Sequence, residues 1–577
     1  MLGTFMAQLS QVWRRLITYV KGNNIEELSQ TISLQKETNF PTKQVNKKTQ
    51  KALELDDSNL RKILFHQRLQ TSIEKWTRST NLLRFAVSDR QFYQDIYDLY
   101  SEGALKPEVV SELMGKLDGS AGFYPIILFQ RLEDFYQRWC QGEFIDAPPA
   151  FNFPQQKMLQ LRAKGINIGL KQIDINTGLN VLILLLELHR YAQTREHLRQ
   201  QIIFYPSGQR DTENFFTSQL LRVINYSDSV EIGNFSNVVG EFLQGANLSG
   251  AYLGDANLTE VNLSHANLSG AYLGDANLTG VNFTGANLSA ANLGDSNLSG
   301  ANLSHANLRR ADLSSSNLSG ANLTHADLSR TDLTHADLSS SNLAFTDLSH
   351  GDLSSANLRD ANLNNAQLNQ AILFGANLSD AHLRNVDLTG ADLCRADLSG
   401  AELHTATLRG ANLSDSILFS TNLQDADLTA ADLSYAKLNS ANLHNAILQE
   451  AIILGADLSN VDLGSVKLNQ ADLSGVNLNE ADLSQADLSE AILLGTDFSY
   501  ANLSGSNLSG SNLTGAILSG ADLSHTNLSY AILGGADLSS ANLDDLRWNE
   551  NLQWDGVRGL DKAVNIPPAL KQQLGLW

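Results

Sequence analysis

Cysteine is nearly absent: Cys140 and Cys394 stand in different regions of a 577-residue chain and offer no disulfide framework, which fits a reducing compartment. Long apolar runs are missing too. The longest, Val181 to Leu186 plus Leu188, falls far short of the roughly 20 residues that cross a bilayer, so a membrane-spanning class is excluded. Met1 to Lys21 lacks the short apolar core and cleavage site of a secretory signal, and the expected location is cytoplasmic. Aromatic residues are scarce at 7%. No Walker-type phosphate loop, G-x-S-x-G elbow, H-E-x-x-H or C-x-x-C occurs, so the reading is of a protein that is not an enzyme and needs no cofactor.

Basic residues are scarce in only one part of the chain. Residues 246–545 carry 33 acidic and 9 basic residues, whereas the remainder holds 29 and 32, so two physically different objects share one chain with an overall net charge of −21. Within the acidic part, residues 396–545 carry 19 acids and 3 bases against 14 and 6 in 246–395.

What that part contains is a period of five. From Ala246 to Asp545 sixty units of consensus A-(N/D)-L-S-x follow without insertion or deletion. The third position is Leu except at Phe283, Ile453 and Phe498, and the first holds Ala in 42 units and never anything larger than Val. On a helix, at about 100° per residue, successive Leu would advance about 140° and leave no single apolar face. A very short extended segment and a turn, repeated, instead sends Ala and Leu to one side and the Asn or Asp between them to the other. Such a chain coils into a solenoid whose layers bury one another. The string AYLGDANLT recurs after 20 residues, and AIILGADLS, AILLGTDFS and AILGGADLS recur at 40, which points to four units per coil. At a strand spacing of about 4.8 Å, about 15 coils would extend about 72 Å.

These units resemble the pentapeptide-repeat family, and the resemblance implies a right-handed quadrilateral β-helix over 246–545, extended by degenerate units at Ser236 (SNVVG) and Glu241 (EFLQG). Some members resemble duplex DNA in shape and charge and protect or inhibit type II topoisomerases. Leu248, Leu393, Phe283, Ile453 and Phe498 are expected in the structural core.

The fold class is therefore α+β and multidomain. Residues 1–21 read as an amphipathic helix with Leu2, Phe5, Leu9, Trp13 and Leu16 on one side and Arg14, Arg15 and Lys21 as its only charges. That stripe either packs on protein or makes peripheral contact with a membrane surface. Residues 22–57 read as a linker, 58–235 as a mostly helical N-terminal domain of no recognised family, 236–545 as the β-helix and 546–577 as a C-terminal cap with a short helix after Pro567 and Pro568. Helices are expected from Pro107, over Ile126 to Trp139, and from Thr177 or Gly178 to Ile202.

Two histidine groups invite a metal and are set aside. His189, Glu196 and His197 lie two helical turns apart, and of His265, His305, His325 and His525 at one corner only His305 and His325 fall in adjacent coils, so packing and a solvated corner account for them. A sharper signal is apolar. Tyr252, Tyr272, Ile372, Ile452, Ile492 and Ile532 occupy outward second positions at multiples of 20, and Phe374, Leu454 and Leu494 follow two residues on, which makes them candidate partner-docking residues on one face. The plain alternative is that Ile suits a strand edge, as at Ile417, Ile447 and Ile517 on other faces.

The function expected is a protein-protein interaction scaffold, its partner a foreign protein or a second copy. The alternative is a DNA-mimicking modulator of a type II topoisomerase, and the third reading an envelope-associated organiser at a membrane surface. Direct nucleic-acid binding by so acidic a surface is not expected.

Overall fold

The computed structural model describes residues 65–81, 84–120, 122–208 and 218–574. The expected helix over 1–21 and linker over 22–57 lie outside the described residues. Gln70–Trp577 form one compact unit, which holds both the repeats and all but the first residues of the helical head.

The head is helical, as its sequence implies. After α1 (residues 65–77) and a small antiparallel pair, β1 (Ser79–Asn81) and β2 (Arg84–Phe85), come α2 (Asp89–Tyr100), α3 (Pro107–Asp118), α4 (Pro125–Cys140), α5 (Phe153–Ala163) and α6 (Leu170–Gln193). Proline in the first turn, where no N–H partner is lost, starts both α3 and α4. Helix α6 is buried on nearly every side, which marks a helix enclosed by others: Ile173, Leu179, Val181 to Leu186 and Leu188 are buried together with the polar Asp174 and Asn180, and α2, α4 and α5 pack against it. The apolar run of the sequence is thus the centre of the head.

The expected start of this helix at Thr177 or Gly178 is corrected, since Leu170 opens it and Gly178 lies mid-helix. A Cβ at Gly178 would sit 2.0 Å from the Trp139 ring, so this glycine lets α4 and α6 approach and marks no boundary. Nor does one helix reach Ile202: Thr194 ends it and the short α7 (Glu196–Arg199) follows.

Helices α8 (Gln219–Asp228) and α9 (Asn234–Val239) lead to the repeats. The degenerate units expected at Ser236 and Glu241 are corrected as well: residues 236–239 belong to α9 and Gly240–Phe242 form a 3-10 turn. Phe235, Val239, Phe242 and Leu243 are buried there, and the Gly240 carbonyl accepts the Asn262 N–H at 3.1 Å, so helical residues cover the first repeat layer.

The repeat region is a β-helix joined one residue at a time. The second residue of each unit forms an isolated parallel bridge to the residue 20 further on, from Asn247↔Asn267 to Asp522↔Asn542. The extended segments are thus shorter than strands, because nearly every other backbone group is used for a turn or an adjacent coil. In the unit 246–250, the Asn247 Oδ1 accepts the Ser249 N–H, the Leu248 N–H reaches Asn267 O at 2.7 Å, and the Gly250 N–H reaches Ser269 O at 2.9 Å. The Leu248 carbonyl then accepts the Ala251 N–H, closing a turn around Ser249 and Gly250. All sixty units end on a residue with positive φ, as the second central position of a type II turn requires, yet glycine fills only eighteen of them. The remaining forty-two accept a left-handed conformation because the two coils beside them fix it.

First and third positions point inward. Leu248, Leu393, Phe283, Ile453 and Phe498 are at most 2% exposed. Where Ser or Thr replaces Ala, the buried hydroxyl donates to a third-position carbonyl at every site but Ser506, as Ser296 does to Leu293 and Thr421 to Leu398. Pairing continues past the expected boundary at Asp545, to Arg547, Gln553, Arg558 and Val564, with spacing widening from 20 to 22 residues before α10 (Pro568–Leu574). Leu546, Leu552 and Leu570 are buried at this end.

Candidate partner-docking face

The second position explains why a large apolar side chain there is unusual. Asn or Asp accepts the N–H of its own fourth residue, as Asn412 does from Ser414 at 3.1 Å and Asp312 from Ser314 at 3.0 Å. Asn also donates along its column, Asn412 Nδ2 to Asp392 Oδ1 at 2.9 Å. A Tyr or Ile in this place gives the fourth N–H no acceptor within its unit, forgoing about 1 kcal/mol.

Tyr252 and Tyr272 turn this loss into a stack. Their rings lie 4.8 Å apart and 11° from parallel, and a Cβ at Gly254 would meet the Tyr272 ring at 2.5 Å, which explains Gly as the fourth residue of both AYLGD units. Neither core packing nor a stack accounts for the remaining apolar pairs. Ile372 and Phe374 are 42% and 40% exposed, Ile452 and Leu454 53% and 52%, Ile492 and Leu494 both 41%. Ile372 bridges Asp352 and Asp392, Ile452 bridges Asp432 and Asp472, and Ile492 bridges Asp472 and Asn512, so all lie in one column. Ile532 shares the column but is only partly exposed, with Gln553 of the irregular last turn paired on it.

Two neighbours escape a reading by second and fourth positions. Tyr435, a fifth-position residue 59% exposed, lies against Gly455, where a Cβ would meet its ring at 2.7 Å, and its N–H donates to Leu454 O. The Arg395 guanidinium lies 5.8 Å from the Phe374 ring centre. Adding 20 or 21 to the residue number finds both contacts. Elsewhere, His305, His325 and Phe345 stack at 5.0 and 4.9 Å, and Ile417 with Phe419 makes a solitary pair on another face.

The histidines set aside above differ in setting, with His197, His265 and His525 exposed. His189 is buried in the head, its Nδ1 3.3 Å from the Phe204 N–H, and burial lowers its basicity. Among the described residues no group of three His, Cys, Asp or Glu is placed to hold a metal ion. The head's most perturbed carboxyl is Asp174: burial pushes it up to about 6, opposed by hydrogen bonds from Tyr97 (2.6 Å), Tyr226 (3.1 Å) and Trp139 (3.0 Å). It joins α2, α4, α6 and α8, and both its oxygens are occupied. Among the described residues no helix is long and apolar enough to cross a membrane.

A family profile described as pentapeptide repeats, in 8 copies, matches residues 243–464 and 467–545, more than half of the chain. HetL of Nostoc sp. strain PCC 7120, a pentapeptide repeat protein involved in heterocyst differentiation regulation, is 40% identical over 37% of this chain and 89% of its own, with a TM-score of 0.29. A pentapeptide repeat protein of the Arabidopsis thaliana thylakoid lumen is 32% identical over 21% of this chain and 69% of its own, with a TM-score of 0.13. Full-length QnrB1, a plasmid-mediated fluoroquinolone resistance protein, is 21% identical over 31% and 92%, with a TM-score of 0.17. No curated protein matches the chain.

Proposed function

The chain belongs to the pentapeptide-repeat family, and from that premise we propose that it is a non-catalytic protein-protein interaction scaffold acting in the cytoplasm. One observation carries this reading. On a single face, Ile372/Phe374, Ile452/Leu454 and Ile492/Leu494 give up the local hydrogen bond that the second position ordinarily makes, and yet stay exposed to solvent. Residues that serve neither the turn nor the core support a role toward something outside the chain. The interior supports no competing role, because its first and third positions are filled by side chains. Quantitative affinity capture from native cells with the full chain as bait is the test. A reproducible partner in near-stoichiometric amount is expected, and its absence across growth conditions would count against a scaffold.

A second reading, a modulator or protector of a type II topoisomerase acting by DNA mimicry, draws support from the charge of residues 396–545, 19 acids against 3 bases. That is about one net charge per 2.3 Å of axis at strand spacing, against about 1.7 Å for duplex DNA. Supercoiling by a type II topoisomerase, measured with and without the protein, tests it: no effect at micromolar protein removes this reading and leaves the scaffold untouched.

A further inference from the structure

We propose that the part of this face around Asp472 docks a cationic amphipathic helix of a protein partner; the proposal rests on the scaffold reading and names the chemistry of what is held. Ile452/Leu454 and Ile492/Leu494 are the knobs. Between them, one coil from each, lies the unit 471–475, whose second, fourth and fifth residues are Asp472, Ser474 and Gly475, and Asp472 bridges to both Ile452 and Ile492. Two apolar pairs therefore flank a lower step, and at its centre is an exposed carboxylate. Glu450 and Glu490, both exposed, end the units that precede the two pairs.

The charges choose the occupant. Residues 396–545 contain three bases, and none is in this column: Arg409 pairs with Asp427 at 3.0 Å, while Lys437 and Lys467 sit in the columns of Asp457 and Asp487. Two copies meeting through this face would set acid against acid, so a second copy is disfavoured and a cation is favoured. The same chain already displays such a complement at Ile372/Phe374, where the Arg395 guanidinium covers the Phe374 ring. At the two later pairs the residues corresponding to Arg395 are Gly475 and Gly515, so any cation must come from elsewhere.

Geometry sets the form of the partner. The two pairs lie two coils apart, about 10 Å at strand spacing, and residues i and i+7 of an α-helix lie about 10.5 Å apart on one side. A helix running along the column seats apolar side chains at i and i+7 on the two pairs and brings residue i+3 or i+4 over the step. A Lys or Arg there lays its methylenes between Leu454 and Leu494 and carries its charge to Asp472.

The test uses the full chain and an 18-residue helical Leu/Lys peptide of this pattern, with the same pattern carrying Glu for Lys as control, followed by fluorescence anisotropy. The Leu/Lys peptide is expected to bind, to lose affinity about tenfold or more against the I452N/L454S/I492N/L494S variant, and to lose about fivefold against D472N. Against D482N, which removes one acid from a different column, it is expected to bind as to wild type. Equal binding to wild type and the fourfold variant would mean diffuse attraction to an acidic surface and would overturn the proposal, as would equal binding of the Glu peptide. Circular dichroism checks the fold of the fourfold variant, and if that fold is lost, D472N against D482N decides. A wild-type dimer in sedimentation that the fourfold variant abolishes would assign the face to a second copy and overturn it too. Partner capture that persists with the fourfold variant removes this face and leaves the scaffold standing.

Discussion

Leu393→Arg and Asn412→Asp alter neighbouring coils and should differ in size and in response to salt. Leu393 is fully buried, and its N–H donates to Asn412 O at 2.7 Å. Replacing it forfeits roughly 1.5–3 kcal/mol of apolar burial and places an unpaired guanidinium among Leu side chains, at several kcal/mol more. A loss beyond about 5 kcal/mol is expected, concentrated in the layers on either side. Asn412→Asp keeps the acceptor for Ser414 but loses the Nδ2 donation to Asp392, and it makes a run of three acids between Asp392 and Asp432. Unit charges about 4.8 Å apart repel by about 0.9 kcal/mol at the dielectric of water and about 3.5 kcal/mol at an effective value near 20. The native column already contains the run Asp312, Asp332, Asp352, so the lower end applies and about 1–2 kcal/mol is expected. Thermal melts at 0.05 M and 1 M salt separate the two, since at 1 M the Debye length is about 3 Å. The Asn412→Asp deficit should shrink by more than half and the Leu393→Arg deficit should stay. Similar melting temperatures for the two variants, or equal salt responses, would refute the inward and outward assignments on which the fold description stands.

Gly178→Ala should destabilise the head by about 3 kcal/mol in denaturant melts, because the added Cβ would lie 2.0 Å from Trp139. Asp174 gives the head an unusual pH slope. Its folded value of about 6 lies above the unfolded value near 3.9, so its contribution is full below about pH 4 and is lost as pH rises to about 6. Asp174→Asn should flatten that part of the stability profile, and an unchanged profile would contradict the assignment. Asp427, Asp457 and Asp537 are held below the usual carboxylate range: burial opposes the shift at Asp427 and Asp457 but is outweighed by hydrogen bonds, and at Asp537 the bond from Ser539 leads. Their contribution is present above the usual carboxylate value and is lost as pH falls through their lowered values, so the repeat region should weaken below about pH 4 when followed by circular dichroism.

The repeat was legible because its interior tolerates so little: a strict limit at the first position and Leu at the third already place both side chains inside, and the 20-residue recurrence gives the stacking. The turn was not legible in the same way. Asn and Asp at the second position read only as outward polar residues, while the acceptor they offer to the fourth N–H depends on a backbone bend that no residue count reveals. Left-handed fifth positions were hidden for a related reason, since Gln370, Arg395 and Tyr500 adopt a conformation that local preference would assign to glycine. In the head, Gly178 read as punctuation because its reason, the Trp139 ring, comes from a helix some forty residues earlier.

The turn also bears on what the acidity means. Asn and Asp make the same hydrogen bond to the fourth N–H, as the units at Asn412 and Asp432 do at 3.1 and 2.9 Å, so the fold is nearly indifferent between them. Asn even adds a donor along the column, which Asp lacks. The preference for Asp in residues 396–545 is therefore not required by the turn, and neither is the near absence of bases there. The exposed Ile and Leu pairs are a separate departure, made against the turn's own preference. Two independent departures from what the solenoid needs meet around Asp472, one in charge and one in apolarity. A merely soluble surface would call for the first and not the second, and a merely strand-compatible residue would call for the second without the first. The proposed partner, both cationic and apolar, makes use of the two together.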